Sequence, residues 1–268
     1  MQNIPRIYIN EELKIGKQIK ISEQQAHYLK KVMRTTKFLA FNNGKEFHAE
    51  LDISSQFSVL GSETDHPDPS NALTLAFAPI KQSRLEEMMN MATQMGIARL
   101  QPILTDRTTT HHINWERIRK ITAEAAEQSN RNSVPEIAEP IKFADFIKNN
   151  KNIIFADERF AHENIQNTCV IPGRGNAASP GPHGDGLIED TSDREVIFTP
   201  LKSTRTRINS GDARIFRDDT PILIGPEGGF SESEFAALDT MGATGINLGK
   251  TILRAEVAAV VAIAKIIN

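Results

Sequence analysis

From residue 73 onward, short apolar strands alternate with helices, and this alternation constrains the fold more than any other feature. The predicted strands are residues 73–78, 100–104, 153–156, 221–224 and 245–248. The predicted helices are residues 83–95, 115–129, 231–241 and 253–266. Strands that alternate with helices form a parallel sheet with helices on both faces. We therefore predict an α/β domain over residues 71–268.

The first 70 residues show a different pattern, in which short strands are separated by turns. Predicted strands are residues 6–9, 18–21, 38–42, 46–53 and 57–60. Asn42-Asn43-Gly44 is a hairpin signal, and Ser22 is a predicted N-cap for a helix over residues 23–33. Residues 65–70, which include two prolines, form a linker. We predict a small β-barrel domain over residues 1–70.

Composition excludes several classes of protein. Apolar residues make up 39% of the 268 residues, which is enough to fill a core. The longest apolar run, residues 257–264, is far shorter than the ~20 residues of a membrane span. Cys169 is the only cysteine, so an intramolecular disulfide and a cysteine-based metal cage are excluded. No signal peptide is visible, and we expect a cytoplasmic protein.

Positive charge is concentrated at the N-terminus, although the net charge is −3. Residues 1–50 contain nine Lys or Arg and five acids, so this segment carries +4. A local basic face can bind phosphates even on an acidic chain. From charge alone, however, a solvated surface is the favoured interpretation.

Residues 161–217 interrupt the alternation with a polar stretch rich in Gly, Pro and Ser. Loops longer than about 15 residues are uncommon inside compact domains. We interpret the stretch as an insertion between two core strands, and the position of Cys169 inside it argues against a catalytic role for that thiol. Because such segments bury little apolar surface, we expect that deleting residues 165–212 leaves folding intact.

The strongest local motif is residues 224–230, Ile-Gly-Pro-Glu-Gly-Gly-Phe, at the end of a predicted buried strand. Ser231 and Glu234 form a predicted capping box for the following helix. Glycines let the backbone approach a ligand closely, and ligands of parallel α/β sheets bind at the carboxyl ends of strands. The motif therefore favours a ligand loop over an ordinary tight turn.

A second motif, residues 247–256, lies at another transition from strand to helix. Backbone groups at such a helix start can hold a polar ligand. Gly249-Lys250-Thr251 raises a phosphate-binding loop as an alternative, but the first glycine that this motif requires is replaced by Thr244. Nucleotide hydrolysis is therefore disfavoured. The sequence also lacks the glycine pattern of a dinucleotide-binding fold after any strand.

A third pattern lies in residues 122–131, where Glu124, Gln128 and Arg131 fall on one predicted helix face. This polar stripe could contact a substrate, and an ordinary exposed polar face fits the spacing equally well. His111-His112 has no third ligand at a useful spacing, so we expect no metal site.

Together these residues resemble the small-subunit ribosomal RNA uracil-N3 methyltransferases, a family of the SPOUT (trefoil-knot) class. Residues 27–34 are similar to its His-x-x-x-V-L-R element, and Lys81 with residues 93–96 to its K-(x)n-A-T-E-L-G helix. Residues 123–135 are similar to its E-A-x-E-Q-x-x-R…V-P stretch, and residues 225–229 and 248–256 to its two cofactor loops. Gln94, Thr251 and Val257 depart from the residues usual in these motifs. The resemblance covers nearly the whole chain except residues 161–217.

The resemblance implies a C-terminal trefoil-knotted domain, a PUA-like N-terminal barrel, S-adenosyl-L-methionine as cofactor, 16S ribosomal RNA in the small ribosomal subunit as partner, and a homodimer. It implies no membrane and no metal. Cofactor contacts are expected from Ile224, Gly225, Pro226, Gly228, Gly229, Leu248, Gly249, Ile252 and Leu253. Contacts to the RNA are expected from Arg6, Lys30, Arg34, Gln128 and Arg131.

The implied reaction is methylation of uridine N3, which is a poor nucleophile until it loses its proton. Arg254 is the first candidate for stabilising the resulting anion, and Glu227 and Glu256 are candidates for the base or for orienting Arg254. The two acids remain unranked. The alternative is a catalytically inactive RNA-binding protein of the same fold.

Overall fold

Two sheets form the framework of the computed structural model, which describes residues 4–52, 54, 57–110, 112–160 and 220–267. The predicted insertion and Cys169 lie outside the described residues, and so does His111. Among the helices of the described ranges, none combines the length and the apolar character needed to cross a membrane.

The N-terminal sheet has five strands in the order β1-β3-β4-β5-β2, in which β1 runs parallel to β3 and the other neighbours are antiparallel. Its elements are β1 (Arg6–Tyr8), β2 (Gln18–Lys20), α1 (Glu23–His27), β3 (Lys37–Asn42), β4 (Lys45–Leu51) and β5 (Phe57–Glu63). Ser22 caps α1 as predicted, and its hydroxyl accepts a hydrogen bond from the N–H of Gln25. A π-helical turn, Tyr28–Met33, continues α1. Closure into a barrel and the division at residue 70 remain predictions.

The second sheet has seven parallel strands, which confirms the α/β prediction. Its order is β12-β10-β11-β6-β7-β8, with β9 also paired to β7. The elements are β6 (Thr74–Phe77), α2 (Gln82–Gln94), β7 (Arg99–Leu104), α3 (Trp115–Gln128), β8 (Glu136–Ile137), β9 (Ile141–Lys142), α4 (Phe143–Asn149), β10 (Ile154–Ala156), β11 (Ile222–Ile224), α5 (Glu232–Met241), β12 (Thr244–Ile246) and α6 (Ala255–Ile267). The sequence had not predicted β8, β9 or α4.

Both faces of this sheet are covered, because successive residues of a strand point to opposite sides. On one face, Ile222 and Ile224 of β11 pack in a core with α2, α3 and α6. On the other face, Leu223 packs in a core with α4 and α5 that includes Phe155 and Phe230. The near-continuous apolar strands of the sequence therefore reflect burial on both sides.

Candidate functional site

A cleft of about 320 Å³ lies at the carboxyl ends of β10, β11 and β12. The segments that follow these three strands line it, together with the start of α6 and Arg84 of α2. The two glycine-bearing motifs, which are separated in the sequence by α5 and β12, meet at this cleft as predicted.

The loop between β11 and α5 forms one wall of the cleft. Ile224, Gly225 and Pro226 line it, together with Glu227. A side chain at Gly225 would place its Cβ 3.0 Å from the ring of Phe230, so glycine is needed for this close approach. Ser231 then caps α5 with the predicted capping box.

Gly228 and Gly229 do not line the cleft directly, in contrast to the prediction. They shape the loop instead. Gly229 has φ +69°, and its N–H bonds to the carbonyl of Pro226 at 2.9 Å. A Cβ at this position would lie 2.7 Å from Cδ of Glu158, so only glycine leaves room for that carboxylate.

The loop between β12 and α6 forms the opposite wall. Leu248, Gly249, Ile252 and Leu253 line the cleft as predicted. The side-chain oxygen of Asn247 accepts the N–H of Gly249 at 2.8 Å, which closes a tight turn at the start of the loop. Lys265 Nζ of α6 donates to the carbonyl of the same asparagine at 2.8 Å.

Two of the three predicted catalytic residues lie at the cleft. Arg254 is exposed and lines it, and within the described ranges its guanidinium makes neither a hydrogen bond nor an ion pair. Glu227 also lines the cleft and forms an ion pair with Arg84 at 3.1 Å. Arg84 was not predicted from the sequence.

Glu256, the third predicted catalytic residue, does not line the cleft. It lies in the first turn of α6, and only 5% of its surface is exposed. Its Oε2 atom has no hydrogen-bond partner among the described residues. Glu256 therefore points into the protein, whereas Arg254, two positions earlier, lies at the cleft.

An acidic pair after β10 was missed by sequence reasoning. Asp157 and Glu158 both line the cleft. Asp157 is buried and forms an ion pair with Arg159 at 2.7 Å. Arg159 forms a second ion pair with Asp239 at 2.9 Å. These hydrogen bonds raise the pKa of the Arg159 guanidinium above its usual value. The available signal was the position of the acids at the carboxyl end of a strand.

Two of the predicted RNA contacts lie at the junction of the two sheets, where Arg6 is half-buried and Arg131 is buried. Arg6 forms an ion pair with Glu46 at 2.7 Å and donates to the carbonyl of Arg131 at 2.9 Å. Arg131 is 1% exposed and donates to the carbonyl of Thr93 at 2.7 Å. Because Arg131 is buried, it is withheld from an RNA phosphate and this prediction is wrong. Arg6 also lines a surface groove, and its contact with RNA stays a prediction.

Gln128, Lys30 and Arg34 lie at the surface, where Gln128 and Arg34 are exposed and Lys30 is half-buried. Gln128 lines a groove of about 780 Å³ between α3 and the N-terminal sheet. The predicted polar stripe is shortened because α3 ends at Gln128 and Asn130 takes φ +58°. Arg131 therefore leaves the helix face that it was predicted to share with Glu124.

A family model for the RNA methyltransferase domain matches residues 66–178 and 185–267. The chain belongs to the RNA methyltransferase family. Because the matched residues include both loops of the cleft, the resemblance predicted from the sequence is confirmed.

Two bacterial members of this family show how far the likeness extends. Ribosomal RNA small subunit methyltransferase E of Rickettsia conorii is 34% identical over 97% of this chain and 94% of its own. The protein of the same name from Synechocystis is 28% identical over 97% of this chain and 76% of its own.

Solved structures of similar proteins share the fold. A methyltransferase from Legionella pneumophila in complex with SAM has a TM-score of 0.71 at 21% identity, over 98% of this chain and 97% of its own. A ribosomal RNA small subunit methyltransferase E from Neisseria gonorrhoeae bound to S-adenosyl methionine has a TM-score of 0.69 at 22% identity, over 98% and 96% of the two chains.

Proposed function

We propose that this protein transfers a methyl group from S-adenosyl-L-methionine to N3 of a uridine in 16S ribosomal RNA. The observation that carries the proposal is the cleft in which both glycine-bearing loops meet beside Arg254, which has no ion-pair partner among the described residues. The names of the relatives from Rickettsia conorii and Synechocystis support ribosomal RNA as the substrate. Action on the ribosome places the proposed enzyme in the cytoplasm.

The cleft suits such a cofactor. Ile224, Leu248 and Leu253 provide apolar walls for an adenine ring, and Gly225 and Gly249 leave backbone groups accessible. Glu158 adds a carboxylate to the lining of the cleft, whereas the charge of Asp157 is paired with Arg159. S-adenosyl-L-methionine supplies an activated methyl group on a positively charged sulfur.

The chain's own task is to align the uridine and to stabilise the charge that develops on it. Loss of the N3 proton leaves negative charge on the flanking carbonyl oxygens. Arg254, whose guanidinium has no competing partner in the described part of the chain, is placed to donate hydrogen bonds to these oxygens. Glu227 is our candidate for accepting the proton or for orienting Arg254, and Arg84 holds it at the cleft.

We further propose that the N-terminal sheet guides the RNA. Lys30 and Arg34 carry positive charge at its surface, and Gln128 lines the groove towards α3. Phosphate contacts of this kind set the position of an RNA without reading its sequence. The target uridine must be unpaired or leave its stack to reach the cleft.

The proposal includes a trefoil knot and a homodimer. β11 lies between β6 and β10, and α6 returns from the edge strand β12 to pack on α2 and β11. We propose that α6 reaches this position by passing through a loop of the same domain. Ile252, Val257 and Ile267 expose apolar surface beside the cleft and along α6, which a second copy would cover.

Mapping the methylated nucleotide by mass spectrometry tests the proposal. Small ribosomal subunits that lack the modification are incubated with the protein and isotopically labelled S-adenosyl-L-methionine. We expect label on N3 of one uridine. Label on another base or position would contradict the substrate assignment. If calorimetric titration detects no cofactor binding, the inactive RNA-binding alternative is favoured instead.

A further inference from the structure

The turn that follows β7 presents two charged residues to the cofactor loop. Thr105 and Thr108 are buried and close this turn: the N–H of Thr105 donates to Oγ1 of Thr108 at 2.9 Å, and the two hydroxyls lie 2.8 Å apart. The residues between them, Asp106 and Arg107, are exposed. Neither residue lines the cleft.

Asp106 anchors the end of the cofactor loop, where α5 begins. Its Oδ2 accepts the hydroxyl of Ser231 at 2.6 Å. Its N–H donates at 2.9 Å to Glu234, the buried acid of the capping box. The start of α5 is therefore tied to the turn after β7 through both a side chain and the backbone.

Arg107 anchors the middle of the same loop. Its Nη1 donates to the carbonyl of Gly228 at 2.8 Å. Its stem also covers that glycine, because a Cβ built on Gly228 would lie 3.7 Å from Cβ and Cδ of Arg107. The guanidinium thus holds Gly228, an exposed residue of the loop. The two residues before it, Pro226 and Glu227, line the cleft.

We infer that Arg107 is a positioning residue that holds the loop between β11 and α5 in the conformation that binds the cofactor. A loop with three glycines has a large conformational entropy, and ordering it opposes binding. A charged donor fixed on a closed turn orders the loop before the cofactor arrives. The inference rests on the proposed function for the identity of the cofactor, but the order of the loop can be measured without it.

A matched pair of variants isolates the hydrogen bond. Arg107→Met keeps a long stem against Gly228 and removes the donor, whereas Arg107→Lys keeps a charged donor. Arg99→Met is the control, because Arg99 lies at the other end of β7 and forms only an exposed ion pair with Glu136. Since Arg107 is exposed, all three variants are expected to fold.

Hydrogen exchange of the protein without cofactor is the first readout. We expect the amides of residues 225–231 to exchange severalfold faster in Arg107→Met than in the wild type, with α2 and β6 unchanged. Arg107→Lys should restore most of the protection. Equal exchange in Arg107→Met and the wild type would overturn the inference, and so would an increase spread over the whole domain.

Calorimetric titration with S-adenosyl-L-methionine is the second readout. We expect Arg107→Met to raise Kd about three- to tenfold, with kcat at saturating cofactor nearly unchanged, and Arg107→Lys and Arg99→Met to stay within about twofold of the wild type. A Kd unchanged in Arg107→Met would overturn the inference. If the wild type itself fails to bind the cofactor, the proposed function fails, and hydrogen exchange still decides whether Arg107 orders the loop.

Discussion

Arg254 combines exposure at the cleft with a guanidinium that makes no ion pair in the described residues. The other arginine that lines the cleft, Arg84, is paired with Glu227. A donor without a protein partner can respond to charge that appears on a substrate, because no existing bond has to break first. Arg254 is therefore the residue on which the proposed chemistry depends most.

We expect Arg254→Ala to lower kcat about 100-fold while the Kd of S-adenosyl-L-methionine changes less than about threefold. The reason is that the guanidinium is proposed to bind the developing anion and not the cofactor. Single-turnover kinetics and calorimetry measure the two quantities separately. A larger effect on Kd than on kcat would make Arg254 a cofactor residue.

Glu127 of α3 is a titratable group at the junction of the two sheets. Its Oε1 accepts the N–H of Tyr8 at 2.9 Å. Burial raises the pKa of the Glu127 carboxyl to about 7, and the negative charge of Glu124 adds to the rise, against the opposing effects of the Tyr8 N–H and Arg6. Between pH 4.5 and about pH 7, the folded protein therefore keeps a proton that the unfolded chain has released.

Since the folded state binds the extra proton, the stability that Glu127 contributes falls as the pH rises through this window. We expect Glu127→Gln, which keeps an acceptor for Tyr8, to stabilise the protein at pH 8 by up to about 3 kcal/mol and to have little effect at pH 5. Urea unfolding at the two pH values measures this. Glu87→Gln on the exposed face of α2 is the control, and an equal response of both variants would refute the assignment.

Residue roles were predictable from the sequence where the backbone dictates them. Gly225 and Gly249 marked the two walls of the cleft. Gly225 packs closely against the ring of Phe230, and Gly249 has φ +140°, which other residues rarely adopt. Arg131 was misassigned because a basic residue looks the same in sequence whether it is solvated or buried with partners. Whether a single charged residue is buried depends on tertiary packing. The periodicity of apolar residues in the sequence does not reveal that packing.

At the scale of elements, the start of α5 shows how local sequence fixes a structure that the site uses. Ser231 and Glu234 exchange both bonds of a capping box, as predicted. The same serine also donates to Asp106, so the cap links α5 to the turn after β7. One hydroxyl therefore defines where the helix begins and where the cofactor loop ends.

We expect Ser231→Ala to lower the free energy of unfolding by about 1 kcal/mol, because one helix-start N–H loses its acceptor. For a protein of this size the loss corresponds to a decrease in Tm of about 2–4 °C. Thr240→Ala is a suitable control, since its hydroxyl bonds only within α5 and is exposed. Differential scanning calorimetry compares the two, and an equal Tm loss would refute the capping role.

Strands β8 and β9 and helix α4 escaped prediction for physical reasons. The two strands have only two residues each and exist through pairing with β7. α4 begins after Lys142, whose side chain makes no capping hydrogen bond, so the usual start signal is missing. The longer elements were predictable because their apolar spacing records burial on the sheet.

At the scale of the whole molecule, the surface beside the cleft determines the proposed assembly. Ile252, which lines the cleft, is 63% exposed, and Val257, which precedes the lining residue Ala258, is 42% exposed. We propose that a second copy of the chain covers these apolar side chains. A second copy at this place would also shield the cleft from water.

We expect Val257→Asp to convert a dimer into monomers, because a buried unpaired carboxylate is costly at an interface. Light scattering coupled to size-exclusion chromatography measures the mass. Val59→Asp changes a valine of β5 in the N-terminal sheet that is 58% exposed, and it should leave the dimer intact. A Val257→Asp protein that remains dimeric would place the interface elsewhere.

The position of β11 in the sheet has a consequence for synthesis on the ribosome. β10 and β6 are both paired to β11, which therefore bridges the first and last parts of the sheet. β11 emerges late in translation, long after β6 and β7 have left the exit tunnel. We expect the nascent α/β domain to stay incompletely folded until residues 222–224 have been synthesised. Until then, the edge of β6 that pairs with β11 lacks its partner. Chaperones that shield unpaired strand edges would then act on this chain during translation rather than after release.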